Sequence, residues 1–117
     1  MKTENTHIEY KSLKKAIGSK ANFKELAETC VCLANSQGGI LFIGIEDEVK
    51  LPLNNQKITQ KTVNDVLSRI RSLSDSVGLG DATIVTHENG GQYFRFKVFH
   101  TSRTIATTSS GKIFIPI

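Results

Sequence analysis

Three consecutive carboxylates, Glu46, Asp47 and Glu48, follow the most apolar stretch of this chain, residues 40–45. A short apolar run bounded by turn residues is typical of a strand covered on both faces. Acidic side chains at the end of a buried strand are where many α/β folds place functional groups. They are equally an ordinary solvated exit from a strand, and the residues themselves leave both interpretations open.

A second set of reactive groups lies near the N-terminus, where residues 6–12 partly alternate between apolar and polar types. This alternation predicts a half-buried strand and places Glu9 and Lys11 on one face, about 6.6 Å apart along the strand. Glu4 lies shortly before it. An ordinary surface ion pair, worth ~0–1 kcal/mol, is an alternative role for Glu9.

Basic side chains supply the other candidate chemistry. The net charge of +4 and the pI of about 9.2 are compatible with a nucleic-acid partner. Tyr93, Arg95, Lys97 and Phe99 alternate with apolar residues, which predicts a basic and aromatic strand face for phosphate contact and base stacking. The candidate nucleic-acid-binding residues are Lys11, Lys14, Lys15, Arg69, Arg71, Arg95, Lys97 and Arg103. A solvated surface spread over several faces is the alternative.

Two helices must position these groups. The first is predicted over residues 22–37, with Asn22 as its N-cap, Glu25 at the capping-box position, and Gly38 ending it. The second is predicted over residues 58–73, with Thr62 and Asp65 as its capping pair.

Further strands are predicted at residues 40–45, 82–87, 92–100 and 111–117. An Asn89-Gly90 turn favours a hairpin between two of them. Gly44 within the apolar run predicts that another group approaches the backbone closely. The order β-α-β-α-β-β-β predicts an α/β (α+β) fold, a mixed sheet with two main helices.

The chain length of 117 residues indicates a single domain, residues 1–117. We expect it to be the N-terminal domain of a longer protein, because its last residues still have a strand pattern. No apolar run reaches the roughly 18 residues needed to span a membrane, and no signal peptide opens the chain, so we expect a cytoplasmic location. Neither dinucleotide nor P-loop glycine spacing is present, which argues against an ATPase.

Cys30 and Cys32 are the two cysteines, one residue apart in a helical pattern. Their side chains then point about 200° apart around the helix, which disfavours a disulfide. No cysteine or histidine partner stands at a spacing suited to zinc. Reduced and mostly buried thiols are therefore expected.

Three stretches of the chain together resemble a known family. They are Glu9-Tyr10-Lys11 with Glu4 five residues earlier, Ala34-Asn35-Ser36-Gln37-Gly38-Gly39, and the run from Ile40 to Asp47. The resemblance is to the Schlafen-type AlbA-like domain, which covers nearly the whole chain. It implies an α/β fold that binds nucleic acid, commonly as the N-terminal part of bacterial transcriptional regulators.

The resemblance also implies a catalytic site. In animal Schlafens three acidic residues form a metal-dependent RNase site, and their positions match Glu4, Glu9 and Asp47 here, with Lys11 as the nearby basic residue. Three carboxylates suit a hard cation such as Mg²⁺ or Mn²⁺. The metal could activate water and neutralise phosphate charge.

Three functions follow as hypotheses. The first is a nucleic-acid-binding domain of a transcriptional-regulator-type protein, with DNA or RNA as its partner. The second is a metal-dependent endoribonuclease that uses Glu4, Glu9, Lys11 and Asp47. The third is an oligomerisation module, a homodimer formed through apolar strand edges.

Overall fold

The computed structural model describes residues 7–101 and 107–108. Its strands are β1 (His7–Lys11), β2 (Gly39–Ile43), β3 (Ser74–Asp75), β4 (Thr83–Thr86), β5 (Gln92–Val98) and β6 (Thr107–Thr108), and its helices are α1 (Phe23–Ala34) and α2 (Gln60–Ser72). A single helical turn, Leu13–Lys15, follows β1. The predicted α/β (α+β) fold class, a mixed sheet with two main helices, is confirmed, and the two-residue strands β3 and β6 are additions to the predicted order. The predicted strand at residues 111–117 lies outside the described residues.

The main sheet has four strands in the order β1-β2-β5-β4. β1 and β2 are parallel, with Glu9 opposite Leu41, whereas β2–β5 and β4–β5 are antiparallel. The predicted hairpin is confirmed, because Gly90 has a φ of +82° and His87 N donates to Gly91 O at 2.8 Å. β3 and β6 form a separate small sheet.

Both helices pack on the same face of the main sheet. That face contributes five buried side chains to one continuous core shared with α1 and α2, namely Leu41, Ile43, Phe94, Phe96 and Val98. Burying a side chain of this size contributes about 1.5–3 kcal/mol relative to exposure. The expectation that β2 is covered on both faces is wrong, because Ile40 and Phe42 point away from the helices and are only half-buried.

The helix ends show which local predictions hold. Asn22 caps α1 as predicted, accepting a hydrogen bond from Glu25 N at 3.0 Å. The predicted cap of α2 is wrong, because Thr59, not Thr62, is its N-cap and accepts from Thr62 N at 3.1 Å. Ile58 lies just before the helix. Its N donates to the Gln92 side chain at 2.8 Å, and its side chain packs in the core.

Glycines allow the backbone of β2 and its ends to lie close to neighbouring strands. Gly38 has a φ of +78°, and its N donates to Leu33 O at 2.8 Å as the chain turns out of α1. A Cβ on Gly39 would lie 2.5 Å from His7 O of β1. The close approach predicted at Gly44 is confirmed, since a Cβ there would lie 3.1 Å from Tyr93 Cα.

Neither helix in the described part of the chain has the length and apolarity that crossing a bilayer requires. Cys30 and Cys32 are both free thiols, as expected, with Cys30 buried in the core.

We predict that Gly39→Ala destabilises the protein by about 1–3 kcal/mol, the usual cost of forcing an extra group into a packed site. The added methyl meets the backbone of β1, which can yield only if the strand moves. Urea unfolding monitored by circular dichroism measures the change. Gly78→Ala is the matched control, because its Cβ would lie no closer than 3.4 Å to any neighbouring atom. Equal unfolding midpoints for the two variants would contradict the prediction.

Candidate functional site

The face of the main sheet opposite the helices is here called the open sheet face. Alternation and register place the following strand residues on it: Ile8, Tyr10, Ile40, Phe42, Thr83, Val85, Tyr93, Arg95 and Lys97. Each of these residues is half-buried or exposed, and none of them is a carboxylate. Side chains on this face are therefore available to a partner, and their charge is positive.

Three rings cross the open sheet face from strand to strand and form what we call the aromatic row: Tyr10, Phe42 and Tyr93. The centroids of Tyr10 and Phe42 lie 5.2 Å apart, and those of Phe42 and Tyr93 lie 5.9 Å apart. Both distances fall within the range of favourable ring contacts. The row thus spans three adjacent strands, β1, β2 and β5.

Arg95 and Lys97 lie beside this row, on β5. Arg95 is directly opposite Phe42 and Lys97 is opposite Ile40, and both side chains are exposed. Lys97 Nζ lies 5.5 Å from the centroid of the Phe99 ring. In the part of the chain that the structure describes, neither cation forms an ion pair. The predicted basic and aromatic face of this strand is confirmed.

The lysines near β1 are in a different electrostatic state. Lys11 Nζ lies 2.8 Å from Glu25 Oε2, and Lys15 Nζ lies 2.9 Å from Glu25 Oε1. A single carboxylate at the start of α1 therefore pairs with both cations and offsets one of their two positive charges. Lys14, on the same helical turn, is exposed.

The basic residues of α2 lie in the helical layer, away from the open sheet face. The Arg69 guanidinium stacks over the Phe23 ring at 4.5 Å, and Arg71 lines a hollow together with Asp81. The predicted basic residues therefore do not form one surface, because strands and helices carry them to opposite layers. Arg103 lies outside the described residues.

Glu9 does not point towards the open sheet face. It lines a groove between β1 and α1, together with His7, Glu25, Glu28 and Cys32. Burial raises the pKa of the Cys32 thiol, and the charge of Glu9 raises it further. Three carboxylates in one groove disfavour a phosphate there.

Asp47 lies in the turn that follows β2. Its side chain is 76% exposed and its Oδ1 lies 2.6 Å from Lys50 Nζ. The hydrogen bond from Lys50, followed by the charges of Lys50 and Lys11, lowers the pKa of Asp47. The turn is tied to the end of β1, because Ser12 Oγ donates to Glu46 Oε2 at 2.7 Å.

Glu9 and Asp47 are thus held in different surroundings, one in the β1–α1 groove and the other in an exposed turn. Within residues 7–101 and 107–108, no three histidine, cysteine, aspartate or glutamate side chains gather in a way that could hold a metal ion. The predicted Mg²⁺ or Mn²⁺ site also needs Glu4, which lies outside the described residues, so it stays a prediction. The catalytic set Glu4, Glu9, Lys11 and Asp47 likewise stays a prediction.

Sequence reasoning missed several residues that shape this site. Glu25 was expected to complete a capping box, whereas its side chain binds Lys11 and Lys15. The sequence does not predict that Tyr10 and Phe42 share a face with Tyr93, because the apolar run of β2 indicates burial on both sides. The alternation in β1 does place Tyr10 on the other face of the sheet from Glu9. This pattern indicates that Tyr10 belongs to the open sheet face.

We predict that Glu25→Gln lowers the free energy of unfolding by ~0.5–1 kcal/mol at neutral pH, the scale of partly exposed ion pairs. Hydrogen bonds from Lys11 and then Lys15 hold the pKa of Glu25 below its usual value of 4.5. A lowered folded-state pKa stabilises the fold above the unfolded-state pKa, and this stabilisation is lost as pH falls through the folded value. Urea unfolding should therefore show a difference at pH 7 that disappears in acid.

Glu28→Gln is the matched control for this charge change, since Glu28 lines the same groove but forms no ion pair within the described residues. It should leave stability nearly unchanged at both pH values. A Glu25→Gln effect that persists undiminished in acid would show that the ion pairs are not its cause.

Comparison with solved structures shows the same fold elsewhere. The DIP2311 protein from Corynebacterium diphtheriae matches with a TM-score of 0.67 and 16% sequence identity. The match covers 99% of this chain and 21% of that one, so the chain spans about a fifth of the length of DIP2311. At this identity the likeness concerns the fold alone.

No curated protein matches the chain. The family model described as Schlafen, AlbA_2 matches residues 4–115, nearly the whole length. That match agrees with the order of elements in the structure and with the motifs at Glu9-Tyr10-Lys11 and at residues 34–47. The chain therefore belongs to the Schlafen AlbA_2 family.

Proposed function

We propose that this chain is a nucleic-acid-binding domain and that the open sheet face is its binding surface. The observation that carries the proposal is the pair Arg95 and Lys97, two exposed cations without a carboxylate partner in the described structure. Membership of the Schlafen AlbA_2 family supports a nucleic-acid-related function.

The state of neighbouring charges distinguishes the open sheet face from the other basic positions. A phosphate bound by Lys11 or Lys15 would have to share that cation with Glu25. Arg95 and Lys97 have no such competitor among the described residues. Asp81 lines the same shallow hollow as both cations but pairs with neither of them. Cations of this kind contact phosphates and release condensed counterions, which makes binding strongly salt-dependent.

The surface fits a nucleic acid better than an acidic protein. Arg95 and Lys97 are two residues apart on one strand, so their Cα atoms lie about 6.6–6.8 Å apart along β5. That spacing lets both reach the same backbone, and aromatic rings beside them offer stacking to bases. Phosphate contacts carry no sequence information, so this surface is expected to bind without strong sequence preference.

Both DNA and RNA can satisfy such contacts, because the phosphate backbone is common to both. The expectation of a role in a transcriptional-regulator-type protein stays a prediction, as does a cytoplasmic location. A homodimer likewise stays a prediction.

We predict that the double variant Arg95→Gln/Lys97→Gln weakens binding to DNA and RNA by about tenfold or more at low salt. Each lost phosphate contact should also lower the slope of log K against log salt by about 1. Anisotropy of labelled oligonucleotides, titrated between about 50 and 200 mM salt, measures both quantities.

Lys24→Gln/Lys61→Gln is the matched control, because it removes the same charge from exposed positions on α1 and α2. It should bind nearly as well as the wild type. Equal losses in the two double variants would indicate a response to net charge alone and would remove the open sheet face as the binding surface. No binding by the wild type to any oligonucleotide at low salt would end the proposal itself.

A further inference from the structure

We infer that the aromatic row makes this domain selective for single-stranded nucleic acid, with unpaired bases stacking on Tyr10, Phe42 and Tyr93. This inference rests on the proposed function and specifies the form of nucleic acid that the open sheet face accepts. Its starting point is that three rings share one accessible sheet face with Arg95 and Lys97, which form no ion pair with any residue that the structure describes.

The position of the rings has no structural explanation in the core. Side chains that build the core from the same strands point the opposite way, towards α1 and α2. Tyr10, Phe42 and Tyr93 instead remain half-buried on the side of the sheet that neither α1 nor α2 covers. Rings on adjacent strands of a four-stranded sheet can stack two or three bases, and stacking tolerates any base because every base has a π-face.

Cations border the row along its length. At one end, Lys50 Nζ lies 4.9 Å from the centroid of the Tyr10 ring. The same ammonium group also pairs with Asp47, with 2.6 Å between Lys50 Nζ and Asp47 Oδ1. Arg95 lies directly across from Phe42, the central ring. A strand whose bases lie on the rings would therefore carry its phosphates past positive charge, which is the combination that single-strand-binding surfaces use.

A duplex would use only part of this surface. Its bases are already stacked on one another, so the rings could contribute nothing while Arg95 and Lys97 contacted phosphates. A second copy of this chain is also a poor occupant, because pairing two open faces would bring Arg95 and Lys97 near their own counterparts. Like charges set against each other in an interface cost several kcal/mol. Unpaired nucleic acid is the partner that uses both the rings and the charges.

The protein carries its own reporter for this inference. It has two tyrosines and no tryptophan, and both tyrosines belong to the aromatic row. Tyrosine ring protons therefore report on this row alone. Titration with a short single-stranded oligonucleotide should shift both sets of ring resonances upfield through base stacking, whereas a duplex of the same sequence should leave them nearly unchanged.

Phe42→Leu tests the row while keeping both reporters and an apolar side chain in β2. It should reduce single-strand affinity about five- to 150-fold, the range for losing one stacked base, and should change duplex affinity little. Phe23→Leu is the matched control, because Phe23 is also a ring beneath a cation, Arg69, but lies in the helical layer. It should retain the single-strand affinity of the wild type. Circular dichroism confirms that both variants are folded.

The outcomes separate this inference from the proposed function. Equal affinity for single strand and duplex, with unshifted tyrosine resonances, would overturn the aromatic row as a base platform while leaving salt-dependent binding through Arg95 and Lys97 intact. The inference would also be overturned if light scattering showed that the wild type is a dimer and Phe42→Leu a monomer. That result would mean that the aromatic row binds a second copy of the chain. If the wild type bound no nucleic acid of either form, the proposed function itself would be wrong.

Discussion

Packing of both helices on one face of the sheet is the constraint on which this structure depends. Leu41, Ile43 and the apolar side chains of β5 enter a single core with α1 and α2. Because strand side chains alternate, the same packing sends Phe42 and Arg95 to the opposite side. The core and the open sheet face are therefore two results of one arrangement.

The two layers differ in how their basic side chains are paired. On the helical side Glu25 binds Lys11 and Lys15, and carboxylates dominate the β1–α1 groove. On the other side Arg95 and Lys97 are unpaired within the described residues. The modest net charge of the chain therefore does not describe the positive charge at the open sheet face. A polyanion responds to the local field of the surface it contacts more than to the net charge of the whole protein.

Much of the fold could be predicted from local patterns, because local chemistry causes it. The Asn22 cap, the Asn89-Gly90 turn and the alternation in β5 each act over a few residues, and each is confirmed. The α2 cap was harder to locate, because the start of the helix is also defined by a contact distant in sequence: Gln92, 34 residues away, accepts a hydrogen bond from Ile58 N, next to the cap Thr59. The burial of β2 was misjudged for a similar reason, since an apolar run does not say how many faces the helices cover.

For the candidate site, the sequence by itself determined which side chains β5 presents together, because a period of two is a property of the extended backbone. It also determined membership of the Schlafen AlbA_2 family through the motifs around residues 9–11 and 34–47. Only the tertiary structure decided that Tyr10 and Phe42 extend the row begun by Tyr93. It also decided that Glu25 pairs with Lys11, whereas Arg95 and Lys97 pair with no carboxylate among the described residues. Those properties arise from contacts between residues distant in the chain, and such contacts exist only after strands and helices have packed.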